Sequence, residues 1–389
     1  MSSPAWIPPA ADVVIVNWNT GRHLRDCLRA VGRADRSELR VAQIVVVDNA
    51  SSDDSLSGLD TAGIPLQVVR NTANRGFAAA CNQGAARCGS ALILFLNPDT
   101  EPYPDALRAV GRFLRSPAAD TIGICGGRMV DEHGRPGISC SRFPSLRIFV
   151  GKTTGLDRLL PSVFPPHHLR PAETTASRRV DQVIGAFFLV RRSLFTELGG
   201  FDERYFLYFE ETDLALRALQ NGWGSYYVQQ ARVHHIGGVS SSQLGGERLR
   251  LSLCSRCLYA FRHWPPGRAW SLVALTLTVE PAARLTRAAL RRSPTEFRDT
   301  LSGYWGFLHW LLEQGLPHGH RHRPPASSTG SVGDGSDRPL APLPDPGCRP
   351  RHGAASPPVS DTGVRGSPGA RHQWATDGVP PAPGGRRGT

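Results

Sequence analysis

Two acidic clusters, Asn97-Pro98-Asp99 and Glu210-Glu211-Thr212-Asp213, carry most of the chemistry that this chain could perform. Brought into one cleft, they could hold a divalent cation against a diphosphate and take a proton from a hydroxyl. Mg²⁺ and Mn²⁺ prefer oxygen ligands and often bridge substrate phosphates with only one or two protein carboxylates. Asp99 has an equal claim as the cap of a following helix. Glu210 and Asp213 are three apart and can share a helix side, whereas Glu211 points elsewhere. Acids at a helix start also serve the ordinary purpose of stabilising its N-terminus. The apolar run Tyr205-Phe206-Leu207-Tyr208-Phe209 directly before them argues for more. A carboxylate opening out of such a wall is held at a raised pKa by burial or acidic neighbours, which suits a general base.

Two further segments offer polar groups. His234 and His235 end a strand-like run and precede Ile236-Gly237-Gly238-Val239-Ser240, a loop whose N–H groups could cradle an anion. Either imidazole could ligate a metal or contact a diphosphate, and each could equally be structural. In Asn74-Arg75-Gly76-Phe77 the glycine and the helix after it could place N–H groups and Arg75 near phosphate. The chain has neither GxxxxGK[ST] nor GxGxxG, so neither a Walker loop nor a dinucleotide fingerprint is present.

The elements that must position these residues alternate. Strand-like runs cover Asp12 to Asn17, Gln43 to Asp48, Pro65 to Arg70 and Ala91 to Leu96, with helix-like stretches at Gly21 to Val31 and Phe77 to Cys88. Continuous apolar strands separated by helices imply a parallel sheet covered on both faces. Sites in such sheets lie beyond the carboxyl ends of the strands, and Asn17, Asp48, Asn71 and Asn97 each fall near such an end. From Ile122 to Val190 the pattern is irregular, with an insertion at about Phe143 to Arg178. A strand over Val183 to Val190 and helices over Arg192 to Leu198 and Leu207 to Asn221 follow, then a strand over Trp223 to His235. Beyond Gly246 the sequence is helix-compatible and rich in Arg, Leu and Trp. The apolar stretches Trp270 to Val279 and Leu301 to Leu312 fall short of the roughly twenty residues that a bilayer span needs. They read either as core helices or as helices lying in a membrane interface.

Of the 389 residues, the 74 from Leu316 to Thr389 include 14 Pro and 13 Gly, which predicts a disordered tail. The net charge of +12 is concentrated late: Glu247 to Thr300 holds ten Arg against four acids. No zinc-finger spacing accompanies it, so a specific nucleic-acid partner is not expected, and an anionic membrane surface or a phosphorylated substrate accounts for the same charge. Cys27, Cys81, Cys88 and Cys125 lie in apolar patterns as buried thiols, and the Cys254/Cys257 pair lacks a second pair at metal-site spacing. The N-terminus has no signal-peptide pattern, which favours the cytoplasm.

In their order, the motifs resemble the family 2 glycosyltransferases, especially bacterial rhamnosyltransferase-like members. Val14-Ile15-Val16-Asn17-Trp18-Asn19, Val46-Val47-Asp48-Asn49-Ala50-Ser51-Ser52-Asp53, Asn74-Arg75-Gly76-Phe77 and Asn97-Pro98-Asp99 carry the first half of the resemblance. Gly199-Gly200-Phe201-Asp202-Glu203, Tyr208-Phe209-Glu210-Glu211-Thr212-Asp213-Leu214 and His235-Ile236-Gly237-Gly238-Val239-Ser240 carry the second. The resemblance implies an α/β fold of the GT-A nucleotide-diphospho-sugar transferase type, with a mostly parallel central sheet. It covers about Val13 to Ser242 and suggests a GT-A domain at 11–245 after a flexible 1–10; the residue pattern adds a helical extension at 246–315, either core or membrane-associated, and the tail at 316–389. It further implies Asp48 and Asp53 in a nucleotide pocket completed by Asn17, Asn74, Arg75, Gly76, Asn97 and Gly185. Asp99 would be the last acid of a metal-binding DxD motif, with Asn97 at the first position, and His235 would sit near a Mg²⁺ or Mn²⁺ ion, with His234 as its competitor. Glu211 would be the general base of an inverting transfer, supported by Asp213. The implied partners are a nucleotide-diphospho-sugar donor, dTDP-rhamnose or a UDP-sugar, and a lipid-linked glycan or polysaccharide acceptor at the inner face of the plasma membrane. Oligomeric state is left open.

Overall fold

The apolar run at the start of the chain shows no polar alternation because it becomes a central strand, packed on both faces. In the computed structural model, residues 7–313 are described. The expectations for the extreme N-terminus and for the tail at 316–389 lie outside them. Strand β1 (Ala10–Asn17), helix α1 (Arg22–Arg33), β2 (Arg40–Asp48), β3 (Leu66–Arg70), α2 (Phe77–Ala85) and β4 (Leu92–Leu96) form the first half. After the short β5 (Thr100–Pro102) and α3 (Ala106–Leu114) comes β6 (Ile122–Val130). The segment predicted to be irregular then supplies β7 (Cys140–Ser141), α4 (Leu146–Thr154), α5 (Leu156–Leu159), β8 (Arg178–Val180) and β9 (Gln182–Val183). It leads to β10 (Phe187–Arg191), α6 (Arg192–Glu197), α7 (Glu210–Gln220) and the long β11 (Gly224–His235). Four helices finish the described chain: α8 (Gly246–His263), α9 (Pro266–Leu277), α10 (Val279–Leu290) and α11 (Pro294–Glu313).

The main sheet runs β3-β2-β1-β4-β10-β6-β11-β5, with β8 also paired to β11. Strands β3, β2, β1 and β4 are mutually parallel, as are β6 and β11, while β10 runs antiparallel between the two groups. The expected mostly parallel α/β sheet is therefore present. Val13 and Ile15 pack on one face with Leu24, Leu28, Leu107 and Val110; Val14 and Val16 pack on the other with Ala78, Cys81, Leu214 and Ala218. From β1 the chain steps outward to β2 and β3, then returns to place β4 on the opposite side of β1. The crevice opened by that reversal lies beyond Asn17 and Asn97.

Four expectations are corrected. Strand β6 was not legible because Gly123, Gly126 and Gly127 interrupt its apolar pattern. At Gly126 a Cβ would stand 2.5 Å from that of Val183, so the glycine admits a close neighbour. The single strand expected over Val183 to Val190 is divided by Ile184-Gly185-Ala186. Helix α7 starts at Glu210 rather than Leu207, because Tyr208 and Phe209 are both left-handed, with φ of 70° and 72°. Cys88 is half-buried, whereas Cys27, Cys81 and Cys125 are buried as expected, and Cys254 and Cys257 are buried free thiols on α8.

Candidate active site

One wall of the crevice is built from the ends of β1 and β2. Asn17 and Asp48 are register partners, and the Asn17 amide donates to Asp48 Oδ1 at 2.9 Å, Ser51 Oγ at 3.0 Å and Ser55 Oγ at 2.8 Å. Its carbonyl oxygen accepts from Thr20 Oγ1. Fully buried, Asn17 shapes the crevice wall rather than reaching into it. Asp53 stands exposed on the rim, where Oδ2 accepts the Gly21 N–H at 2.7 Å just before α1 and Oδ1 accepts the Ser55 hydroxyl at 2.6 Å. Burial is the largest single influence and raises its pKa, but these donors together outweigh it and hold the carboxyl below its ordinary value. The loop after β11 folds over this wall: Ser240 Oγ donates to Trp18 O at 2.7 Å and Gln243 Nε2 to Asn19 O at 2.8 Å.

Asp99 and His235 meet at the end of β11. Thr100 closes a tight turn onto Asn97 O, and β5 then pairs with β11 so that His235 lies opposite Thr100. Asp99 is followed by a strand rather than a helix, which removes its alternative role as a helix cap. Its Oδ2 accepts the Val239 N–H at 3.4 Å, and Oδ1 lies 3.5 Å from His235 Nε2. Burial raises the Asp99 pKa, but His235 and the Val239 N–H outweigh that and keep the carboxyl below its ordinary value. His235 Nε2 is itself buried without a hydrogen bond. Neighbouring ligands on a cation with bonds of about 2.1 Å stand roughly 3 Å apart, so small adjustments would let this oxygen and nitrogen share one. No cluster of three His, Cys, Asp or Glu able to hold a metal occurs among the described residues. Asp99 and His235 are the oxygen and nitrogen donors that would hold a divalent cation here. His234 faces the other way, 3.5 Å from Glu101, into a cavity of about 690 Å³ that it lines with Arg29, Arg33 and Tyr103. Strand alternation thus puts His235, not His234, beside Asp99.

The Asn74-Arg75-Gly76 segment has a structural task in the fold. Asn74 Oδ1 accepts the Gly76 N–H at 3.0 Å, and the Phe77 N–H is committed to Phe206 O at 2.7 Å. Gly76 has φ of 84°, and a Cβ there would lie 2.7 Å from Phe206 O. This segment therefore seats the loop leading to α7, leaving the exposed Arg75 side chain as its group directed to solvent.

That loop delivers the acids. Glu210 is buried, and one oxygen of each of Glu210 and Glu211 is enclosed without a partner. Burial raises the pKa of both carboxyls, and Glu211 adds repulsion to the rise at Glu210. Gly185 lies against Glu211, since a Cβ there would be 3.8 Å from Glu211 Cγ. The next residue, Ala186, accepts the Asn97 N–H at 3.0 Å, which ties this wall to the Asp99 turn.

Asp213 lies apart from that pair. It is fully buried; its Oδ2 is held by Arg217 of the same helix at 2.7 Å, while its Oδ1 binds α7 to α8 through Arg262 at 3.2 Å and His263 at 2.7 Å. Helix α8 also grips the loop: Ser255 Oγ donates to Leu207 O at 2.8 Å, Arg248 Nε to the Tyr208 hydroxyl at 2.8 Å, and Tyr259 packs on Phe209. None of Arg248, Ser255, Tyr259, Arg262 and His263 was expected from sequence. They carry no local motif, and only the fold brings them to the acids.

Residues 12–199 match the family model described as Glycosyl transferase family 2. Over 302 residues the chain is 29% identical to an N-acetylglucosaminyl-diphospho-decaprenol L-rhamnosyltransferase of Mycobacterium tuberculosis, covering 72% of this chain and 94% of that one. Over 174 residues it is 31% identical to rhamnosyltransferase WbbL of Escherichia coli, covering 44% of this chain and 61% of that one. Among solved structures, the mannosyltransferase PcManGT from Pyrobaculum calidifontis, in complex with GDP-Man and Mn²⁺, aligns with a TM-score of 0.47 at 17% identity. That alignment covers 78% of this chain and 88% of the other. The family match runs from β1 through α6 and includes Asn17, Asp48 and Asp99, so over residues 12–199 the chain belongs to the family 2 glycosyltransferases.

Proposed function

We propose that this glycosyltransferase is an inverting, metal-dependent enzyme that moves L-rhamnose from dTDP-rhamnose to a lipid-linked glycan or polysaccharide acceptor in cell-envelope synthesis, at the inner face of the plasma membrane. The choice of rhamnose takes its support from the activities in the names of the two bacterial relatives. The observation that carries the chemistry is the linked pair of walls: Asp99 and His235 on one, Glu211 beside Gly185 on the other, joined through Asn97 and Ala186.

Asp48 would receive the pyrimidine, with Asp53 at the rim and Arg75 offering charge to phosphate. Asp99 and His235 would hold Mg²⁺ or Mn²⁺, which when bound supplies positive charge to the departing diphosphate. Glu211 in its ionised form takes the acceptor hydroxyl proton while that oxygen bonds to the anomeric carbon. The bond from that carbon to the donor phosphate oxygen breaks, and its electron pair leaves with the nucleoside diphosphate. One displacement from the opposite face inverts configuration and needs no enzyme nucleophile. Asp213 serves this step as a positioning residue, fixing the helix whose first turn carries the base.

The test is a donor panel of dTDP-rhamnose and UDP-sugars with membrane extract as acceptor, read by mass spectrometry. Transfer from dTDP-rhamnose alone is expected; transfer from a UDP-sugar alone would reassign the donor. Glu211→Gln should cut transfer by about 10²–10⁴-fold, the usual contribution of a positioned acid or base, with donor binding retained. Near-wild-type transfer by that variant would remove Glu211 from the role.

A further inference from the structure

Helix α11 presents two faces of different character. On one, Gly303 and Gly306 let it lie directly against α8: a Cβ on Gly303 would be 2.8 Å from Gly246 O, and one on Gly306 2.6 Å from Arg250 Cδ. Tyr304 and Phe307 are buried on this side, in a cluster with Leu253, Cys257 and Val273. On the other, Phe297, Leu301, Trp305, Leu308 and Leu312 recur at steps of four, four, three and four residues, all exposed. At the helical period they fall within an arc of roughly 80°. Trp305 is 74% exposed and Leu312 84%, values that edge residues of a packed face do not reach.

We infer that this stripe is a membrane-docking surface, with α11 lying in the headgroup region of an anionic bilayer and its five apolar side chains among the acyl chains. No helix among the described residues is long and apolar enough to cross a membrane, so a surface-lying mode is the one available to α11. Charge favours a lipid phosphate layer. Exposed Arg292 precedes the helix, and Arg298 borders the stripe with its side chain 82% exposed. Leu290, two residues before Arg292, is also exposed. The chain's own remainder is a poor alternative cover, because the 74 residues from Leu316 contain 27 Pro and Gly (14 and 13) and no apolar run. The choice of a bilayer rests on the membrane-borne acceptor proposed above, whereas the docking itself requires no catalysis.

Sedimentation of the full chain with phosphatidylglycerol-containing vesicles, against pure phosphatidylcholine vesicles, tests this. The chain should bind the anionic vesicles and largely ignore the neutral ones. Leu301→Ser combined with Trp305→Ser, both at exposed positions, should reduce binding at least tenfold with an unchanged thermal melt, and Trp305→Ser alone should reduce it several-fold. Arg292→Gln with Arg298→Gln should weaken binding and flatten its salt dependence. Equal binding by wild type and stripe variant would overturn the proposal. So would a wild type that ignores vesicles and elutes as a dimer broken by the same substitutions, which would assign the stripe to a second copy. Sugar transfer is measured in the same samples. Vesicle binding through the stripe without transfer from any donor supports docking and overturns the enzymatic reading; transfer without vesicle binding overturns docking alone.

Discussion

Glu211 is asked to ionise where burial favours its proton, and Glu210 beside it resists a second negative charge. The acid limb of the transfer rate should therefore lie above the ordinary glutamate pKa of about 4.3. Glu210, raised further by the charge on Glu211, keeps its proton while Glu211 ionises, so Glu210→Gln should leave that limb in place; a limb moved to lower pH would show that Glu210 carries the charge instead. The same substitution changes stability with a definite sign. A carboxyl raised in the folded state binds its proton more tightly there than in the unfolded chain. Its contribution is complete below the unfolded pKa and is lost as pH rises through the folded one. Glu210→Gln should thus gain on wild type as pH rises, seen as a smaller fall in melting temperature between pH 5 and pH 9. At Asp99 the expected effect is on the metal. Asp99→Asn should weaken Mg²⁺- or Mn²⁺-dependent donor binding by at least about tenfold, the scale seen when a metal's supporting groups are lost. Metal dependence equal to wild type, read by calorimetry, would deny it a ligand role.

Between residues and whole chain, the decisive element is the loop from Tyr205 to Phe209, whose two left-handed residues swing the chain into α7 with its acids enclosed. Gly76→Ala should destabilise the protein by roughly 1–3 kcal/mol, because it combines positive φ with a collision at Phe206 O. Asp213→Ala should cost more, roughly 3–5 kcal/mol, since it strips the anion from Arg217, Arg262 and His263 at once. Chemical denaturation measures both. This loop also marks where the sequence stops being legible. Strands β1, β2 and β4 announce themselves through unbroken apolar runs, and Asn17, Asp48 and Asp99 through their place at the ends. Leu207-Tyr208-Phe209 has the composition of a helix, and nothing local shows that two of its residues turn left-handed under α8. Asp213 likewise reads as one more acid of a cluster, because two of its three partners, Arg262 and His263, lie about fifty residues downstream.

For the whole molecule, the helices after Gly246 are part of the machinery that shapes the site. All described residues fall within one compact unit, and α8 holds Leu207 O, the Tyr208 hydroxyl, Phe209 and Asp213. A chain ended at Gly245 should lose cooperative melting and transfer together, whereas a separable extension would leave a folded, active domain. Limited proteolysis and circular dichroism distinguish these results.

Strand β11 changes register against β6 between Val228 and Arg232, so the chain length over those residues sets which side chain arrives at Asp99. Adding one residue there would deliver His234 to the place of His235; removing one would deliver Ile236. The adjacent histidines thus give the site an asymmetric tolerance to counting errors: a one-residue gain still brings an imidazole to the carboxylate, and a one-residue loss brings only a hydrocarbon.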